Sequence, residues 1–279
     1  MTEKAKQLFA ELQQAIASDK LVLPTLPEVA LKVRDAVENE NSTAEDISEI
    51  LGQDASLSAR LIQVVNSPLY RGRNPIESLK MAVTRLGVKL VRDIVLSMAM
   101  KQIYQATSDV LDEQFRNTWS ASVEIAAISR MLATTCPNLE PEQALLAGLV
   151  HNIGTLPILV MAEDDDELFN DETLLKSVIA ELQGKVGSMI LESWHFPQSH
   201  IDVVNECYNF ARQHEGPADY VDVVQVALLQ GGFVDEMEGA SDWSAIPAFE
   251  KLGMDTEINA VELEENQLII EETKGSFFD

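Results

Sequence analysis

Metal ligation and proton transfer near neutral pH need histidine, cysteine or clustered carboxylates. The chain has four histidines (His151, His195, His200, His214) and two cysteines (Cys136, Cys207). His195 and His200 stand five apart with Pro197 between them, not the i, i+4 step that puts two imidazoles on one helix face. They read as surface or partly buried residues. The cysteines are far apart and form no CxxC, so two ordinary buried thiols are expected rather than a disulfide or a zinc knuckle. His214, beside Gly216-Pro217, reads as a loop residue. Asp164-Asp165-Asp166 lacks the alternating ligands, central glycine and terminal glutamate of a calcium loop, and reads as a solvated turn. No Gly-rich phosphate loop with its lysine and no Gly-x-Ser-x-Gly elbow occurs, which removes P-loop and serine-hydrolase chemistry. What is left is His151 followed by Asn152, an imidazole beside a neutral amide. A histidine at a helix C-terminus bonds the last carbonyls and, if charged, meets the negative end of the dipole.

Charge narrows the partners. With 46 acidic and 20 basic side chains the net charge is −26, which repels a phosphate backbone, so nucleic acid is not expected. The basic residues Arg71, Arg73, Lys80 and Arg85 are the one candidate patch. The N-terminus lacks a signal-peptide core, and charges are expected to break every apolar run before the ~20 residues of a membrane span. The expectation is a cytoplasmic protein with no membrane partner.

The elements that must hold these residues are helical. Apolar residues recur with the 3.6-residue period and none of the chain alternates like a half-buried strand, so the fold class is all-α. Leu8, Leu12 and Ile16 predict an N-terminal helix. Ser42 to Glu45 reads as a capping box before Ile47, Ile50 and Leu51. Leu57, Leu61, Val64 and Val65 form a stripe that ends at Asn66-Ser67-Pro68. A helix opens near Pro75 and carries Ile76, Leu79, Val83 and Leu86, and another runs from Val88 to Tyr104. After the polar stretch Gln105 to Asp112, helices are expected through Trp119 to Met131, from Pro141 to His151, from Thr173 to Trp194, after Pro197, and from Tyr220 to Leu229. Thr256 to Ile270 is either a last helix docking by Ile258, Val261, Leu268 and Ile269 or a mobile tail. The expected division is a helix over 1–20, a helical lobe over 21–108, a second lobe over 109–232 and an acidic segment over 233–279.

Six stretches in order carry a family resemblance: Leu23-Pro24-Thr25-Leu26-Pro27, Gln53-Asp54-Ala55-Ser56-Leu57-Ser58, Asn66-Ser67-Pro68-Leu69-Tyr70, Arg85-Leu86-Gly87, and, beyond Trp119, Leu146–Leu159 and Gly187–Pro197. Over about residues 20–230 the chain resembles HDOD domains. The resemblance implies a bundle of two helical lobes, the second an HD-like relative of metal-dependent phosphohydrolases, acting in bacterial signalling without demonstrated hydrolysis.

An HD metal site would need several histidines and an aspartate. Here the His-Asp pair is His151-Asn152. The positions aligned with other ligands are Ala121 and Gln183, and Cys207-Tyr208 stands where many relatives have paired histidines. The resemblance therefore implies no metal, no cofactor and no catalytic residue, with a remnant pocket at His151, Asn152 and Gln183. Asn66, Ser67, Tyr70 and Arg85 are family landmarks, expected to cap and bridge helix ends or to touch a partner. The expected function is a non-catalytic signalling or scaffold module. It would bind a protein partner or a small signalling ligand in the cleft between lobes, and a homo-oligomer is compatible with it. The alternative is a phosphohydrolase with a rearranged site near His151 that recruits Asp202 or Glu206; a third reading fills the vacated pocket with a nucleotide or other metabolite.

Overall fold

The computed structural model describes residues 1–18, 21, 23–39, 42–105, 108–234 and 242–278, and the regular elements among them are all helical. The ends of the expected stretches 1–20 and 233–279, and residues 106–107 of the expected polar interruption, lie outside the described residues. The first six helices are α1 (Glu3–Ala17), α2 (Glu28–Glu38), α3 (Ala44–Leu51), α4 (Ala55–Asn66), α5 (Leu79–Leu86) and α6 (Val88–Ile103). Leu8 and Leu12 are buried on α1, and the predicted stripe Leu57, Leu61, Val64, Val65 is buried on α4. Gly87, at φ +84°, alone separates α5 from α6, a conformation that strains any residue with a Cβ.

Two helix starts differ from expectation. The capping box of α3 is built by Thr43 and Asp46 rather than Ser42 and Glu45. Asp46 N donates to Thr43 Oγ1 at 3.3 Å, and Thr43 N donates to Asp46 Oδ2 at 2.7 Å. Thr43→Ala is therefore expected to cost about 1 kcal/mol and Ser42→Ala no more than about 0.5 kcal/mol, read from urea unfolding. α5 begins after Ser78, whose hydroxyl accepts from Met81 N, not at Pro75. Ile76 stays outside it because the Asn66 amide holds both its N–H and its carbonyl, each at 2.8 Å.

The remaining helices are α7 (Asp112–Ala133), α8 (Pro141–Val150), α9 (Thr155–Glu163), α10 (Asp166–Asn170), α11 (Glu172–Ser193), α12 (Gln198–Glu206), α13 (Tyr220–Gln230), α14 (Pro247–Leu252) and α15 (Glu264–Phe277). α7 and α8 form the shared wall of two apolar cores. Ala126, Leu145 and Leu149 face a core that includes α1, α4, α6, α9 and α11, while Ile125, Ile128 and Ala144 face a second one with α13 and α14. A helix with apolar neighbours on both sides must be apolar all round, as α8 is. A Cβ at Gly148 would lie 2.5 Å from Ala126 Cα, so the missing side chain sets how closely α8 meets α7.

The expectation that no apolar run reaches membrane length fails for Pro141–Glu163, which passes by length and composition. Its apolar window is 89% buried, because it is two core helices joined by a turn rather than one span. Asp164 to Asp166 is also more than a turn: Asp165 caps α10 and pairs with Lys4 at 2.7 Å. The C-terminal helix forms eight residues later than expected, and of the expected docking residues Val261 and Ile269 pack against the second core while Ile258 and Leu268 are exposed. Ile270, Thr273 and Phe277 are buried while Leu268 is 72% exposed. Phe277 packs edge-on against Tyr70, Phe278 against Trp119, and Lys274 pairs with Glu124 at 2.7 Å, so this helix clasps α7 and the loop after α4.

Candidate functional site

α8 ends at His151, and a tight turn through Asn152, Ile153 and Gly154 opens α9. His151 is 3% exposed; its Nδ1 lies 2.6 Å from Gly148 O and its ring tilts against Tyr208. Burial holds its pKa down near 4, with the Gly148 carbonyl opposing. It thus bonds the end of its own helix as a neutral ring, not as the charged partner of the dipole.

Asn152 is buried with Oδ1 2.8 Å from Ser122 Oγ and 3.1 Å from Tyr104 Oη. Those hydroxyls also lie 2.8 Å from Thr118 O and Leu149 O respectively. Each hydroxyl has one proton, and two carbonyls compete for it with the amide. Asn152 Oδ1 is the acceptor that both hydroxyls face, and Ser122 Oγ also reaches Tyr104 Oη at 3.3 Å.

Gln183 accepts from Thr155 Oγ1 at 3.2 Å. The turn thus brings His151, Asn152 and Gln183 into one region, but their hydrogen bonds run to three different sets of partners. Ala121 is half-buried, and the next residue, Ser122, is the one that reaches Asn152. Cys207 is fully buried, which pushes its thiol pKa up. Asp202 accepts from Gln198 at 2.8 Å and Glu206 pairs with Arg212, so their recorded contacts lead away from His151.

The landmark residues do bridge helix ends. Asn66 ties the end of α4 to Ile76, and Arg85 donates to Asn74 O at 2.9 Å across the loop before α5. Ser67 caps α4 through its backbone, and its buried hydroxyl has no partner. Tyr70 donates to Glu142 Oε1 at 2.7 Å, beside the buried Arg130–Glu142 ion pair. Trp194 is buried and donates from Nε1 to Pro24 O, whereas Trp119 is partly buried between Tyr104 and Phe278.

Sequence reasoning expected a cleft between the lobes but did not name its lining: one of about 210 Å³ lies between α2 and α6 on one side and α8, α12 and the turn before α12 on the other. His195 and His200 both line it despite their spacing, because the chain reverses between them. His195 terminates α11 in the left-handed conformation at φ +54°, and Phe196 N closes back onto Leu191 O. His200, expected at the surface or partly buried, is fully buried, and its Nε2 has no hydrogen-bond partner of normal geometry. Burial lowers its pKa to about 4, the Gln143 backbone opposes this and the Arg92 charge adds to it. Arg92 and the buried Asp93 pair at 2.7 Å on the cleft wall. The signal was available: Arg92-Asp93 interrupts the apolar run of α6.

The two buried histidines have a pH consequence. Unfolding returns each pKa from about 4 towards 6.5, so the unfolded chain takes up protons that the fold refuses. Stability is full above about pH 6.5 and falls as pH drops towards 4, by about 2 kcal/mol per histidine at pH 5. Asp93 acts in the opposite direction, since burial raises its carboxyl pKa. Urea unfolding near neutral pH and at about pH 5 should show a loss smaller by about 2 kcal/mol in His200→Gln; an unchanged loss contradicts the burial argument.

Among the described residues, His214, Asp219 and Asp222 alone form a group of three histidine, cysteine or carboxylate side chains whose ligand atoms lie within 4.8 Å of one another. His214 Nε2 is 2.9 Å from Asp222 Oδ2, so this loop residue is anchored to α13. Arg212 already meets both carboxylates, at 2.6 Å for Asp219 and 3.5 Å for Asp222. Its guanidinium supplies the positive charge a metal would bring.

The HDOD domain family model matches residues 23–210. A solved structure of a proposed metal-dependent phosphohydrolase from Shewanella amazonensis SB2B superposes with TM-score 0.82 at 30% identity, covering 99% of this chain and 100% of that one. An HDOD domain protein with unknown function from Geobacter sulfurreducens gives TM-score 0.66 at 20% identity, covering 96% and 98%. A proposed signal transduction protein from Marinobacter aquaeolei VT8 gives TM-score 0.60 at 19% identity, covering 99% and 66%. Among curated proteins, one of Treponema pallidum (strain Nichols) with no assigned function is 20% identical over 239 residues; the match covers 81% of this chain but only 44% of that protein.

Proposed function

The chain belongs to the HDOD family, and from that premise we propose that it is a non-catalytic, cytoplasmic signal-transduction module that binds a protein partner or a small signalling ligand. The observation that carries this reading is the donor set at the His-Asn turn. A divalent ion exchanges its hydration shell for anionic oxygen and several imidazoles. This turn offers one imidazole and two neutral amides, and the Asn152 oxygen is already held by the Ser122 and Tyr104 hydroxyls. These residues do not fit the ion that hydrolytic relatives would hold.

In this reading the landmark residues act as struts that fix two helical lobes, and a binding surface lies between them. The net charge of −26 disfavours nucleic acid as the partner, and self-association is compatible with the scheme.

Two results test it together. Turnover of bis-p-nitrophenyl phosphate and p-nitrophenyl phosphate with Mg²⁺, Mn²⁺ or Ni²⁺ is expected to match that of His151→Ala. Activity above that variant overturns the proposal. Asn152→Asp, which restores the namesake carboxylate, is expected to lower stability by about 1–3 kcal/mol and to yield no turnover, because it buries a negative charge with hydroxyl donors but no cation recorded beside it. A stabilised, active Asn152→Asp protein contradicts this reading.

A further inference from the structure

The cleft lined by both His195 and His200 is outside the remnant turn, and its chemistry is unusual in a chain this acidic. Two guanidiniums, Arg34 and Arg92, face it along with two carboxylates, Asp93 and Glu38. Arg92 pairs with Asp93 and Arg34 with Asp35, so the wall carries ionised groups of both signs while the whole chain is at −26. A free anion would approach against that field, and a cation would be drawn to the whole surface. A zwitterion is subject to neither effect.

Size and lining narrow the class. At about 210 Å³ the cleft falls below the roughly 300–1,000 Å³ of drug-sized pockets, and its polar groups surround an apolar patch of Leu96, Leu146 and Phe196. Two further observations mark it as a binding site. The first is His200 Nε2, fully buried on the cleft wall with no partner of normal hydrogen-bond geometry, only the Gln143 backbone bearing on the ring, so a bound polar group would improve on it. The second is His195, an exposed residue held left-handed at a helix terminus where glycine is unstrained.

We propose that this cleft binds a small zwitterion of the free α-amino-acid type. Its carboxylate lies on Arg34 and Arg92, its ammonium on Asp93 and Glu38, and its side chain against the apolar patch. His200 Nε2 supplies the remaining hydrogen bond, and His195 closes the lip. The inference deepens the non-catalytic reading by naming the class of signalling ligand.

The test is thermal shift and titration calorimetry of the full chain with each common α-amino acid at millimolar concentration, with inorganic phosphate and adenosine monophosphate in parallel. At least one amino acid is expected to raise Tm saturably. Its N-acetyl and methyl-ester derivatives, which lose one charge each, should not. Arg34→Gln and His195→Gly should weaken the same ligand at least about tenfold, although His195→Gly, relieved of its strain, should melt higher than wild type without ligand. Because His200 variants can fail to fold, the wild-type imidazole ¹⁵N resonance should also move on titration. No hit among the amino acids, a shift by phosphate or the nucleotide alone, or a hit untouched by Arg34→Gln overturns the inference. Metal-dependent turnover would instead remove the non-catalytic reading, whatever the amino acids do.

Discussion

Glu142→Ala is expected to cost about 3–5 kcal/mol of folding stability. Glu142 on α8 and Arg130 on α7 are both buried and pair at 3.0 Å. The same Oε1 accepts from Tyr70, whose ring lies 5.7 Å from the Arg130 guanidinium and packs on Phe277. One carboxylate oxygen thus joins the loop after α4, the α7–α8 wall and the C-terminal helix. Truncating it leaves a buried guanidinium with no counter-charge and a tyrosine hydroxyl with no acceptor. Replacing both charges, as in Arg130→Met with Glu142→Leu, removes the unpaired charge and should recover most of the loss. Urea unfolding decides it: a single-variant loss below about 1 kcal/mol would show that the pair does not hold these parts together.

Gly154→Ala should destabilise by about 3 kcal/mol or more, and its sign is the informative part. The residue has ordinary right-handed angles (φ −65°, ψ −16°), so local preference alone favours alanine by up to about 1 kcal/mol. A Cβ there would lie 2.0 Å from Gln183 O and 2.5 Å from Gly187 N, backbone atoms of α11 that cannot rotate away. The two helices would have to separate, taking with them the Thr155–Gln183 bond and the turn that holds His151 and Asn152. Thermal unfolding of Gly154→Ala above the wild-type Tm would contradict this close approach.

Periodicity made most of the fold legible. The stripes of α1, α4 and α6 and the breaks at Pro68, Gly87 and Pro141 locate helices from the sequence alone, because each depends on residues close in the chain. The errors came where distant groups decide. Ile76 looks helical by pattern but is held outside the helix by the Asn66 amide. The C-terminal helix was placed too early because Phe277 and Phe278, its anchors, have meaning only opposite Tyr70 and Trp119. The run Pro141–Glu163 looked interrupted when read for charges, yet from Ala144 to Ala162 it has no Asp, Glu, Lys or Arg, and two cores bury it.

The candidate site was legible in its identities and not in its geometry. His151-Asn152 and Gln183 could be named from sequence, whereas the hydroxyls that surround Asn152 come from α6 and α7 and carry no local signature. A cleft between the lobes was expected, but its lining was not legible: spacing arguments assume a continuous helix, and the reversal at His195 puts two histidines five apart onto one wall.

The account turns on whether the His-Asn turn can hold a divalent ion. Elemental analysis of the full chain, purified without chelator, incubated with Mn²⁺, Ni²⁺ or Zn²⁺ and then desalted, tests this most directly when His151→Ala is run beside it. The expected result is the same trace of metal in both proteins. A stoichiometric ion in the wild type that disappears in His151→Ala would contradict the non-catalytic reading.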